Sequence, residues 1–456
     1  MAGYSFDLTP REVQRVDTAY RRIVTRIPVP ESLGVLEELR RYEPLAMTGQ
    51  PPIVWHRAVG CQVYDAYGNM WLDFSSGVLV ANAGHSAPEV KAAIIEQVEA
   101  ELLHNYCFPS RQRAELAKLL AEVAPEGMSK VFLLTTGSEA NENAIKLART
   151  WGHSVGGPEK DVIVSYERAF HGRTLGSQQA GGTLALKEWI LHPDPDFVQV
   201  PFPDGYRTED TGFHLFLRAL SDRGVSGRQV AGVLMETFQG GGADFAPPEY
   251  VQALRRWCDE NGALLICDEV QAGFGRSGKF WAFEHYGIVP DMIVCGKGIS
   301  SSLPMAAVIS RPEIMDLYPP GSMTSTHTGN PVACAAAIAN VRRILDQGLT
   351  ANAAARGETL LPLLADMQAE FGEVIGAMHG RGLVAGLQVV HPGGKEPDGG
   401  LAHRIVEKAY EKGLLFFAPV GYGSGTVKIG PPLTITDDML RDGVSVLRES
   451  FAEALG

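Results

Sequence analysis

The chain has 456 residues, 45% of them hydrophobic and 20% charged, a balance that suits a folded protein with a large core. Its formal net charge of −13 argues against a nucleic-acid binder that works through a basic face. No apolar run approaches the roughly 20 residues that cross a bilayer as a helix, so no membrane partner is expected. The cysteines Cys61, Cys107, Cys258, Cys267, Cys295 and Cys334 form no CxxC pair, and they read as small side chains kept reduced. The opening "MAGYSFDLTPREVQRVD" carries acids and no apolar stretch of the signal-peptide kind, which points to the cytoplasm.

The first sixty or so residues, rich in Arg, Glu and Pro, read as an arm and entry segment. "SAPEVKAAIIEQVEAELL" then has Ser86 and Glu89 spaced as a capping box, with Val90, Ile94, Val98 and Leu102 on one helical face. "SRQRAELAKLLAEV" repeats that pattern from Ser110. Short apolar runs follow at 131–134, 162–166, 231–235, 263–267, 292–295 and 305–309, alternating with helical segments. Such alternation predicts an α/β fold around a mostly parallel sheet covered on both faces. "HTGNPVACAAA" leads into an Ala-rich helix, and "GLVAGLQVV", "GLLFFAPV" and "TVKIGPPLTI" then read as strands of a smaller α+β domain. The expected division is an arm over 1–70 that packs with the small domain, a large domain over 71–325 and a small C-terminal domain over 326–456.

Four places just after apolar runs could carry chemistry. In "LLTTGSEANENAIKLAR" a strand runs into Gly137 and Ser138 and a helix begins; the free N–H groups there suit a phosphate or carboxylate, and a plain serine cap is the other assignment. In "YERAFHGRTLGS", Phe170 and His171 precede a glycine turn; Phe170 could stack on a planar group or simply fill the core, and His171 lacks a second metal ligand at a suitable spacing. In "ALLICDEVQAGFGRSGKF", the glycines at 273, 275 and 278 mimic a nucleotide-binding loop. They follow the strand too late for a dinucleotide site, and Phe280 replaces the Ser or Thr that a P-loop places after its lysine. Asp268, at the strand's carboxyl end, is the better candidate, with a turn-capping carboxylate as the alternative. In "DMIVCGKGISSSLP", Lys297 follows a short apolar strand; it is either a loop lysine that reaches solvent or a reactive amine. A carboxylate, an anion pocket, an aromatic face and an amine together suit pyridoxal 5′-phosphate. The lysine forms a Schiff base with its aldehyde, the aspartate pairs with the pyridinium nitrogen, and the phosphate rests on a helix N-terminus.

These motifs also carry a resemblance. "LLICDEVQAGFGRSGKFWAFEHYGIVPDMIVCGKG", "TTGSEANENAIKLAR", "AFHGRT" and "STHTGNP" resemble the class III aminotransferases, from about residue 50 to the C-terminus. The resemblance implies the PLP-dependent transferase fold type I and makes Lys297 the Schiff-base lysine and Asp268 the pyridine partner. It implies that Val270 packs opposite Phe170, that Gln271 reaches the phenolic oxygen, and that Gly137 and Ser138 hold the phosphate. His171 joins this cofactor-binding set, and Glu236 in "METFQGG" matches a glutamate near cofactor and substrate. Thr326 would reach the phosphate of the neighbouring subunit, which implies a homodimer or a tetramer built from dimers.

The pattern also departs from the family. Many members carry Gln-Gly-Glu where this chain has Gln239, Gly240 and Gly241, and an arginine where it has Lys428. That weakens the case for 2-oxoglutarate and raises pyruvate. Lys428 is either an anion-pairing charge or a solvated strand lysine. Val78, Val80 and Phe108 fall where the family places its substrate pocket. The expected activity is transfer of an amino group from an ω-amino compound, such as 4-aminobutyrate, β-alanine or taurine, to a keto acid such as pyruvate or 2-oxoglutarate. Decarboxylating transamination of dialkylglycine type, epimerisation and phospho-lyase chemistry use the same fold and remain alternatives, and "GGGADFAPPEY" resembles the decarboxylating branch.

Overall fold

The apolar runs in the middle of the chain pair into one seven-stranded sheet. In the computed structural model, which describes residues 5–456, its strands are β1 (Lys130–Leu134), β2 (Val162–Tyr166), β3 (Phe197–Val200), β4 (Val230–Glu236), β5 (Leu264–Asp268), β6 (Met292–Cys295) and β7 (Ala306–Ser310). Residues 1–4 of the expected arm lie outside the described residues. The spatial order is β1-β7-β6-β5-β4-β2-β3. β3, β2, β4, β5 and β6 are parallel, while β7 runs antiparallel to both β6 and β1. Every residue of β2, β4, β5, β6 and β7 is buried, as continuous apolar strands between two helical layers should be.

β3 was not among the expected strands. Its "FVQV" buries alternate residues, and the polar Gln199 hides it among neighbouring prolines. It is the last strand on its side of the sheet, where such half-burial is common.

Helices α1 (Pro88–Glu99), α2 (Arg111–Glu122), α3 (Gly137–Gly156), α4 (Pro248–Asn261) and α5 (Pro331–Asp346) belong to the same unit as this sheet. α3 lies on it through Ala140, Ala144, Ile145, Leu147 and Ala148, spaced at one helical face. The α1 expectation needs correction. The helix starts at Pro88, Ser86 stands outside it with a positive φ, and Glu89 pairs with Arg343 instead of closing a capping box. Val90 and Gln97 are its buried residues, whereas Val98 and Leu102 are exposed. Periodicity found the helix and placed Val90 and the half-buried Ile94 on its covered face, while Val98 and Leu102 fall beyond the cover.

The chain divides into two units. One spans Pro88–Gly240 and Asp244–Thr350; the other joins Met1–Ala87, Gly241–Ala243 and Ala351–Gly456. The chain therefore passes between units near 87 and 350, where the sequence suggested 70 and 325. The second unit holds a six-stranded sheet, in which Leu414–Leu415 pairs in parallel with Met70–Asp73, and a three-stranded antiparallel sheet of Ile375–Arg381, Val384–Val389 and Thr426–Ile429. "GLLFFAPV" supplies only the two-residue strand Leu414–Leu415. Among the described residues no helix is long and apolar enough to cross a membrane.

Close approach of α3 to its neighbours rests on Gly152. A Cβ there would lie 2.2 Å from the Lys160 carbonyl oxygen and 2.8 Å from the Ala231 Cβ, and a backbone atom cannot swing away. Gly152→Ala should therefore lower stability by roughly 1–3 kcal/mol, read as a lower urea midpoint with the slope unchanged.

Candidate active site

The parallel strands deliver their chemistry to one edge of the sheet. Asp268 ends β5 and is in register with Glu236, the last residue of β4, and with Val294 of β6. Lys297 follows β6 by two residues, with its backbone at φ 42°, in the left-handed region that few non-glycine residues adopt. Gly137 and Ser138 begin α3 directly after the β1 turn, and Phe170 and His171 follow β2. These residues converge on a cavity of ≈ 130 Å³, walled also by Thr136, Asn141, Gly172, Phe238, Val270 and Gln271.

α3 organises that wall through its polar side. Asn141 Nδ2 donates to Asp268 Oδ2 at 2.9 Å and to the His171 carbonyl at 2.9 Å. His171 Nδ1 reaches the same carboxylate oxygen at 2.8 Å. The Arg173 N–H donates to Ser138 Oγ at 3.2 Å. Glu142 Oε1 accepts from Thr174 Oγ1 at 2.6 Å, Gly176 N–H at 2.8 Å and Ser177 N–H at 3.0 Å. The segment carrying Phe170 and His171 is thus fastened to the start of the helix, between Ser138 and Glu142. Sequence reading missed Asn141 and Glu142. Their signal was polar side chains beside the stripe of small apolar residues that packs on the sheet.

Strand alternation then separates two adjacent acids. Asp268 lines the cavity, with Oδ1 accepting the Val270 N–H at 3.0 Å. Glu269 points elsewhere and accepts from Thr237 Oγ1 at 2.6 Å and from the N–H groups of Ala282 and Phe283, each at 2.9 Å. Glu236, on the cavity wall, accepts the N–H groups of Phe170 at 2.9 Å and Gly240 at 3.0 Å.

Burial raises the Glu236 carboxyl to about 7; His171 and the two backbone donors oppose the rise, while the Asp268 charge adds to it. Burial lifts Glu269 to about 7 as well. At Lys297 burial lowers the amine's pKa, and the Asp268 and Glu236 carboxylates pull the other way. The Lys297 amine makes no hydrogen bond and no close ion pair among the described residues. Burial outweighs the neighbouring acids, so this amine loses its proton more readily than one in water, which equips it as a base or nucleophile.

A family model described as "Aminotransferase class-III" matches residues 46–451. The chain belongs to the class III aminotransferases. Among relatives of this aminotransferase, the 4-aminobutyrate aminotransferase of Mycobacterium leprae is 33% identical over 442 residues, covering 94% of this chain and 97% of the relative. The acetylornithine aminotransferase of Caldanaerobacter subterraneus is 33% identical over 403 residues, 88% of this chain and 95% of the relative. Among solved structures, the ornithine aminotransferase of Toxoplasma gondii, described with partial occupancy of PLP at its active site, superposes with a TM-score of 0.82 at 28% identity, covering 94% of this chain and 96% of that one.

Class III aminotransferases work with pyridoxal 5′-phosphate, and the residues present fit it. The site is the cavity at the carboxyl edge of the sheet, where ligands of such folds gather. It combines an unpaired amine, a carboxylate with a lone pair to spare, and the first N–H groups of α3, which have no partner within the helix. Two glycines keep it open: a Cβ at Gly172 would stand 2.4 Å from Ser138 Oγ, and one at Gly137 2.9 Å from Val270 Cγ1. The glycines at 273, 275 and 278 lie in a run of turns that opens no α-helix, only the short 3-10 helix Ala282–Tyr286, so they build no nucleotide loop.

Other expected residues lie apart from this wall. Thr326 is exposed on its loop, and Phe108 is 72% exposed, so neither lines the cavity. Val78 and Val80 belong to the other unit; Val78 is exposed and Val80 half-buried. Lys428, also in that unit, is only 3% exposed on Thr426–Ile429, which overturns the solvated-lysine alternative. That strand is the last of its sheet and pairs on one side, with Val384–Val389.

The raised Glu236 carboxyl has a measurable consequence. A folded pKa of about 7 against an ordinary 4.5 means that the folded state binds more protons than the unfolded state between those values. That contribution is present at low pH and is lost as pH rises through the window. Glu236→Gln removes the titration, so wild type should gain roughly 2 kcal/mol relative to the variant on going from pH 8 to pH 5, measured as paired urea midpoints on cofactor-free protein.

Proposed function

We propose that this aminotransferase moves an amino group from an ω-amino compound, such as 4-aminobutyrate, β-alanine, taurine or a similar amine, to a keto acid, working as a cytoplasmic homodimer. The observation that carries the reading is the pairing, in one cavity, of the Lys297 amine with the Asp268 carboxylate at neighbouring strand ends. Relatives named for 4-aminobutyrate and acetylornithine support a substrate whose reacting amine is remote from its α-carboxylate. Gly241 in place of a glutamate, and Lys428 in place of an arginine, favour pyruvate over 2-oxoglutarate as acceptor.

Bound pyridoxal 5′-phosphate supplies an electron-poor ring that acidifies the C–H beside the substrate nitrogen. Asp268 pairs with the ring nitrogen, and its orientation is set by His171 and Asn141. Gly137, Ser138 and the start of α3 hold the phosphate, joined by Thr326 of a neighbouring subunit. Phe170 and Val270 flank the ring, and Gln271 attends its phenolic oxygen. Lys297 holds the cofactor and, once its amine is free and neutral, takes the substrate proton and returns it one position away. The depressed Lys297 pKa lets the neutral amine exist at lower pH than it would in water. Glu236, protonatable near neutrality, adjusts the charge beside the same centre.

Mixing the enzyme with single amines tests the substrate class. An ω-amino acid should bleach the visible cofactor band, and pyruvate should restore it. Bleaching by α-amino acids alone would sink the ω-amino assignment, and carbon dioxide release would move the enzyme to the decarboxylating alternative. Lys297→Ala should keep the fold by circular dichroism and lose roughly 10³-fold or more in turnover; retained transamination would remove Lys297 from its role.

A further inference from the structure

The loop bearing Thr326 is fastened to the start of α3 by a carboxylate that the mechanism above leaves unused. Glu139 Oε1 accepts the Ser325 hydroxyl at 2.6 Å. Its other oxygen, Oε2, accepts the Thr135 N–H at 2.9 Å and the Thr135 hydroxyl at 2.5 Å. The Glu139 N–H donates to Thr136 Oγ1 at 3.2 Å, so the residue sits in the first turn of α3, where the helix dipole favours negative charge. Burial raises the carboxyl's pKa, but the donors outweigh it and leave the group below its ordinary value. On the far side of Thr326, the Thr328 hydroxyl donates to the Leu133 carbonyl, at the end of β1. Asn330 next caps α5, accepting the N–H groups of Val332 at 3.0 Å and Ala333 at 3.2 Å. Thr326 and His327, between the anchors at 325 and 328, are exposed.

We propose that Glu139 is a positioning residue: through Ser325 it fixes the outward presentation of Thr326, tying the loop that serves a second copy's cofactor phosphate to the same helix start that cradles the chain's own. The proposal rests on the reading that Thr326 contacts the phosphate of a neighbouring subunit. An ordinary helix-capping glutamate needs Thr135 and Thr136 only. The Ser325 bond is the extra contact, and it crosses 186 positions of sequence. A short, charge-assisted bond of this kind holds a loop in one conformation where a neutral contact would let it sample several. The device links occupancy of the two cradles, because disturbing the first turn of α3 disturbs the tether as well.

The test uses the full chain, stripped of cofactor and titrated with pyridoxal 5′-phosphate while the visible band is followed. Variants are Ser325→Ala, Ser325→Thr, Thr326→Ala and the double alanine. Ser325→Ala should weaken cofactor binding roughly ten-fold, the scale of one hydrogen bond to a charged group. Ser325→Thr, which keeps the hydroxyl, should restore it, and the double variant should bind no worse than Thr326→Ala. A lesion that is merely structural would lower the melting temperature and add to the Thr326 loss. Wild-type affinity in Ser325→Ala, or losses that multiply in the double variant, overturns the positioning role while leaving the Thr326 reading intact. Unchanged affinity in Thr326→Ala overturns that reading and the positioning role together.

Discussion

A carboxylate held at the end of a buried parallel strand is the constraint around which this structure is arranged. Asp268 is 5% exposed. Taking such a group out of water is costly unless hydrogen bonds or charges replace the lost hydration. His171, Asn141 and the Val270 N–H supply that replacement, and each must be delivered by a different segment. Asn141 requires α3 to start where it does and to lie close on the sheet, which Gly152 permits. His171 requires the 170–177 segment to be seated, which Ser138 and Glu142 accomplish. The cavity edge and the helix–sheet packing therefore depend on the same contacts.

The same edge concentrates negative charge. Asp268 and Glu236 end neighbouring strands in register, and Glu269 follows immediately. Alternation along the strand turns Glu269 away, toward the N–H groups of Ala282 and Phe283, where it anchors the turn after β5 and takes no part in the cavity. The two acids that remain face Lys297. Burial disfavours the charged form of all these groups, while attraction between Lys297 and the acids favours it. The outcome is an amine and a carboxyl, Lys297 and Glu236, both able to change protonation nearer neutrality than their free counterparts. Replacing this cluster by apolar side chains would remove its desolvation cost together with the groups that titrate near neutrality.

Much of this was legible in the sequence because it depends on local pattern. Strands β1, β2 and β4 to β7 fall within a residue or so of the apolar runs, since strands buried on both faces must be apolar throughout. Asp268 and Lys297 stood out as charges that end such runs. β3 escaped because half-burial replaces its apolar run with alternation. The apolar stripe of α1 holds at Val90 and Ile94 and fails at Val98 and Leu102, because apolar spacing marks a stripe without saying how far its cover extends. Asn141 and Glu142 were invisible for another reason: their roles are hydrogen bonds to a segment some thirty residues distant, and no local spacing encodes a partner. The depth of Lys428 belongs to the same class, because nothing in its own strand says what covers it. The four motifs that carried the family resemblance supplied what composition and periodicity could not.

The division of the chain has a consequence for how it is made. Residues 88–240 and 244–350 complete the sheet-bearing unit before anything beyond 350 is translated. The other unit is assembled from both ends: Met70–Asp73 pairs with Leu414–Leu415, and the Trp71 indole donates to the Tyr410 carbonyl at 2.8 Å. On the ribosome, then, the N-terminal segment emerges hundreds of residues ahead of the strand it must pair with. Its Trp71, Leu72 and Phe74, all buried in the finished molecule, stay uncovered for most of synthesis, a period in which nascent-chain chaperones have an apolar target to hold.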